Sequence, residues 1–93
     1  MALFDFTYDP NSPRDISNLL KALGKLWLDP DNGHNKVKRA IEELSKTHDG
    51  RQLLYNCHLV VTRQIPQMRN SELLNMFKSF QQMTGALAHG GWD

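Results

Sequence analysis

The sequence predicts an all-α fold, a compact bundle of four main helices carrying an extended N-terminal arm. Three observations lead there. Apolar residues recur three and four positions apart in four successive windows. Each window is bounded by residues that start or stop helices. The arm alternates like a strand, but no second segment offers it a convincing partner.

Residues 1–11 form the arm. Phe4, Phe6 and Tyr8 alternate with Asp5, Thr7 and Asp9, which places three aromatics on one side of an extended segment. The arm is expected to lie across the bundle. Ser12-Pro13-Arg14-Asp15 then opens the first helix: serine caps, proline suits the first helical position, and the acid answers the dipole. Ile16, Leu19, Leu20, Leu23, Leu26 and Trp27 fall within an arc of about 120°, with Lys21 and Lys25 opposite. The helix stops before Asp29-Pro30, because the residue preceding proline is pushed out of the α region.

Asp29-Pro30-Asp31-Asn32-Gly33 is a turn. Calcium is not expected there, since the position five before Gly33, where the first ligand belongs, is Leu28. A second helix is predicted from about Asn35 to Thr47. Val37, Ala40, Ile41 and Leu44 make its buried stripe, and Lys38, Arg39, Glu42, Glu43 and Lys46 its solvated face. Asp49-Gly50 is expected to end it, glycine taking the left-handed position, with His48 close to the last carbonyls.

The segment Arg51 to Ile65 reads two ways. As a helix it gathers Leu53, Leu54, Cys57, Val60, Val61 and Ile65 on one arc, with Tyr55 and Leu59 opposite; as a strand it alternates Leu53, Tyr55, Cys57, Leu59 and Val61. Its length and its helical neighbours favour the helix. Being apolar on two sides, it is expected at the centre of the bundle, ending at Pro66. The fourth helix, roughly Asn70 to Ala88, is capped by Asn70 or Ser71, and residues 89–93 are a flexible tail. Leu73, Leu74, Met76, Phe77, Phe80, Met83 and Leu87 cover about half its circumference, more than the ~100° a core-facing stripe needs.

Ninety-three residues make one domain, 1–93. The net charge of +1 marks neither a nucleic-acid nor a membrane-surface binder. The single Cys57 excludes an intrachain disulfide and fits a reducing cytoplasm. No apolar run approaches the ~18 residues of a membrane span, and the termini fit a complete small reading frame.

No constellation for catalysis stands out, so an enzyme is not expected and no cofactor is called for. Cys57 and His58 are adjacent, and adjacent helical residues point about 100° apart, which is poor geometry for a nucleophile and its base. His34, His48, His58 and His89 share no metal-ligand spacing. What remains is surplus apolar surface, which usually meets a partner. The candidate partner-binding residues are Leu19, Leu23 and Trp27 on the first helix, and Met76, Phe80 and Met83 on the fourth. A nucleic-acid alternative uses Lys21, Lys36, Lys38 and Arg39, although Glu42 and Glu43 share the helix of the last three.

The segment Thr47-His48-Asp49-Gly50-Arg51-Gln52-Leu53 resembles the Thr-His-Glu-Gly-Arg-Lys-Leu segment of the AsiA family, the small all-helical anti-sigma proteins of T4-like phages. Upstream, Ile41-Glu42-Glu43-Leu44 is similar to that family's Leu-Asn-Glu-Ile; downstream, Asn56, Ile65, Gln67, Leu73, Leu74 and Phe77 keep its register. The likeness covers roughly residues 41–80 and does not extend over residues 1–30. It implies a non-enzymatic regulator of transcription whose partner is the C-terminal domain of the primary sigma factor of RNA polymerase, in the host cytoplasm. Two alternatives stand beside it: an oligomerising subunit of a larger phage or defence complex, for instance a homodimer, and a nucleic-acid-binding helical domain.

Overall fold

A computed structural model describes residues 8–90, and the side chains of residues 8–85. The chain runs through α1 (Pro13–Trp27), α2 (Gly33–Leu44), α3 (His48–Gln64), one 3-10 turn (Ile65–Gln67) and α4 (Ser71–Gly90). The all-α prediction holds, and among the described residues there is no strand. The segment that read two ways is helix. Phe4 and Phe6 of the arm and residues 91–93 of the tail lie outside the described residues, while residues 89 and 90 continue α4.

The helix starts follow from local chemistry. Ser12 Oγ accepts from the Asp15 amide at 3.4 Å, with Pro13 in the first position of α1. Asn70 Oδ1 accepts from the Glu72 and Leu73 amides at 3.0 and 3.1 Å and so caps α4. Between α1 and α2, Asp29 Oδ1 accepts from the Asp31 amide at 2.8 Å, and its other oxygen meets Lys36 Nζ at 2.6 Å. That pairing, first through the Lys36 hydrogen bond and then the Asp31 amide, holds the Asp29 carboxyl below its ordinary value.

Helices α2 and α3 are bounded differently from the sequence reading. Helix α2 occupies Gly33–Leu44 rather than Asn35 to Thr47. The turn closes early because Asn32 takes the left-handed conformation, φ 66°, and Gly33 fits where a Cβ would stand 2.3 Å from the Leu26 carbonyl oxygen. Helix α3 starts at His48 rather than Arg51, because Thr47 Oγ1 accepts from the Gly50 amide at 3.0 Å. Gly50 therefore does not end the second helix in a left-handed conformation. It is the third residue of α3, and no described glycine has positive φ. Close approach selects it instead: a Cβ there would lie 1.8 Å from the Leu44 carbonyl oxygen. His48 correspondingly opens a helix rather than closing one.

Helices α1 and α3 each pack against all the others, whereas α2 and α4 share no substantial contact. The core sits between them: Leu19, Leu23, Val37, Ala40, Leu53, Leu54, Cys57, Val61, Met76 and Phe80 are fully buried. Tyr55 and Leu59 are exposed, so α3 is central without being covered on its second apolar side. The described end of the arm is fastened down. Tyr8 packs against the core, and Asn56 Nδ2 donates to the Pro10 carbonyl at 2.7 Å.

Candidate functional site

One stripe of α1 sets the site. Pro13, Ile16, Leu20, Gly24 and Leu28 recur at three- and four-residue spacing, so they share a face one step round from the core-facing Leu19, Leu23 and Trp27. Against that stripe stand Val60 and Gln64 near the end of α3, and Leu73, Met76 and Phe77 near the start of α4. The space between is a groove of about 700 Å³. Its length along α1, from Pro13 to Leu28, is about 22 Å at the helical rise.

Gly24 is the floor of the groove. It is buried, and the atoms nearest to where its Cβ would stand are Leu73 Cδ2 at 3.5 Å and Met76 Cε at 4.0 Å. A methyl group would fit there in ordinary van der Waals contact with both. Leu28, just past α1, is 56% exposed and forms one end of the apolar wall. Three cations complete the lining: Lys21 and Lys25 from α1 and Arg63 from α3.

The residues singled out in the sequence are distributed differently. Leu19, Leu23, Met76 and Phe80 are fully buried and Trp27 is 9% exposed; only Met83 is half-buried. These side chains hold the bundle together, and of the six only Met76 also lines the groove. The reason is geometric: the residues nearest the centre of each apolar arc face the neighbouring helices, and those at its edge are left over. Trp27 additionally stacks on His34, ring centroids 3.7 Å apart.

The four basic candidates do not form one patch. Lys21 lines the groove, which no α2 residue reaches, and Lys36 is held by Asp29. Lys38 and Arg39 are exposed on α2.

Cys57 and His58 diverge as adjacent helical residues should. The Cys57 thiol is buried below α1, 3.8 Å from the Ile16 carbonyl oxygen, and burial pushes its pKa up to about 12. A thiol held so firmly protonated is a poor nucleophile. His58 Nδ1 lies 2.8 Å from Thr84 Oγ1, whose hydroxyl is 2.7 Å from the Phe80 carbonyl oxygen. The carbonyl can only accept, so the threonine hydroxyl donates to it and its oxygen accepts a hydrogen bond from His58 Nδ1–H. This fully buried threonine was not foreseen. No group of three or more metal-ligating side chains gathers among the described residues.

Sequence reasoning missed Gly24, Leu28, Val60, Arg63 and Gln64. A signal for the first two was present in the i, i+4 ladder Ile16, Leu20, Gly24, Leu28, with a helix-weakening glycine inside it. No protein-family model, curated protein or solved structure matches the chain.

Proposed function

We propose that this chain is a small, non-enzymatic protein-binding regulator that engages its partner through the groove between α1, the end of α3 and the start of α4. The observation that carries the reading is the groove itself: about 700 Å³, with a predominantly apolar lining that leaves Leu28 exposed. Apolar grooves of this kind accept a side-chain ridge from another protein, and a few buried anchors then supply most of the binding energy. The resemblance to the anti-sigma family over residues 41–80 makes the C-terminal domain of a primary sigma factor the first partner to try. That span includes the α3 and α4 walls of the groove.

The test is size-exclusion chromatography with light scattering, on the protein alone and mixed with that sigma domain. A heterodimer lost in Leu28→Lys and Val60→Lys variants supports the reading. Both sites are at least partly exposed, so the substitutions leave the core intact. Met76→Lys or Phe80→Lys would report on folding instead, because both positions are fully buried. A homo-oligomer indifferent to sigma would replace the anti-sigma reading with self-assembly, and a monomer with no complex would remove sigma as the partner.

A further inference from the structure

We infer that the occupant of the groove is an acidic amphipathic helix of a partner protein, its apolar ridge on Gly24 and its carboxylates on Lys21, Lys25 and Arg63. This rests on the protein-binding reading above and goes further by giving the partner segment its chemistry. Shape comes first. The groove follows α1 for about 22 Å, the length of a helix of about fifteen residues. Gly24 adds no side chain to the groove, whose apolar wall there is made by Leu73 and Met76 of α4.

Charge selects among helices. The residues lining the groove include three cations and no carboxylate. The chain as a whole is nearly balanced, with 11 basic and 10 acidic residues, so this is a local separation of charge. Three of the other cations sit beside acids, Lys36 with Asp29, Lys46 with Glu43 and Arg14 with Asp15, while Lys38 and Arg39 stand on the helix that also carries Glu42 and Glu43. Lys21, Lys25 and Arg63 enter no ion pair within the described residues. The two lysines are one helical turn apart on α1 and the arginine comes from α3, so two walls of the groove contribute positive charge. An apolar floor with cations around it complements a ridge of leucine or phenylalanine flanked by glutamate or aspartate.

The experiment uses three fluorescein-labelled sixteen-residue peptides and the full chain, read by anisotropy at two salt concentrations. One peptide has a leucine ridge with glutamate flanks, one the same ridge with lysine flanks, and one glutamate flanks with a serine ridge. The glutamate-flanked leucine peptide is expected to bind at least about tenfold more tightly than the other two, and to weaken as salt rises. In the triple variant Lys21→Glu, Lys25→Glu, Arg63→Glu the preference reverses to the lysine-flanked peptide. All three positions are exposed, and an unchanged circular dichroism spectrum certifies the fold. Equal binding of both leucine peptides overturns the charge selection while leaving the groove as a protein-binding site. Binding of the serine-ridge peptide as tightly as the leucine one shows plain ion attraction and overturns the inference. No binding by any peptide overturns it too, whereas the sigma-domain experiment decides the broader reading on its own.

Discussion

Gly24→Ala separates the stability of this fold from the use of its groove. Glycine in the middle of a helix costs about 0.8–1.0 kcal/mol relative to alanine, because its backbone loses more freedom on folding. Position 24 lies in the last turn of α1, which ends at Trp27, so part of that cost applies there. The new methyl would meet Leu73 Cδ2 at 3.5 Å and Met76 Cε at 4.0 Å, both ordinary van der Waals distances, so nothing has to move. Burying it contributes up to ~0.8 kcal/mol more, for a total gain of about 1–1.5 kcal/mol. For a domain of this size each kcal/mol corresponds to about 4–8 °C in Tm. Thermal and urea unfolding followed by circular dichroism should show a Tm raised by at least about 4 °C. The same methyl raises the groove floor, so affinity for the glutamate-flanked leucine peptide should fall as stability rises. A global defect would not move the two in opposite directions. An unchanged or lowered Tm would refute the claim that close packing tolerates a side chain here.

Gly50→Ala should do the reverse and destabilise by about 1–3 kcal/mol or more, since its Cβ would stand 1.8 Å from the Leu44 carbonyl oxygen and backbone must shift; a midpoint in urea equal to that of the parent would refute the packing argument. Thr84→Val keeps the shape but removes the hydroxyl that bonds His58 Nδ1 and the Phe80 carbonyl, at an expected cost of about 1 kcal/mol by chemical denaturation. Cys57 should react with a thiol reagent at pH 8 only as fast as the chain opens, and at once in denaturant; rapid labelling of the native protein would contradict its burial. Because its thiol ionises near 9.0 when unfolded and near 12 when folded, the unfolded state holds fewer protons in that window. Stability should therefore decline as pH rises from about 9 towards 12. The ion pair of Asp29 acts at the acid end: its folded carboxyl is held low, so its contribution is present above the ordinary value of 3.8 and is lost as pH falls through the folded value. Lys36→Met should remove that part of the acid dependence in a series of urea midpoints.

The four helices and their core stripes were legible in the sequence. Apolar spacing, Ser12 and Asn70 as caps, and Pro30 and Pro66 as stops are local signals, and each acts through residues within one turn of itself. Gly50 shows where local signals mislead. Asp-Gly after a helix usually marks its end, yet this glycine serves a contact with Leu44 and begins the next helix, a fact that depends on how α2 and α3 turn against each other. The groove was beyond sequence reasoning for the same reason. An apolar arc on one helix does not say which of its residues a neighbour will cover. Leu19 and Leu23 face the core alone, whereas Leu20 belongs to the core and also lines the groove with Gly24 and Leu28, although all lie on one helix or at its end. Periodicity within the chain thus determined the helices, and the angles at which α1, α3 and α4 cross determined the space left between them. Crossing geometry is set by side chains far apart in sequence meeting in three dimensions, so only the tertiary structure could decide it.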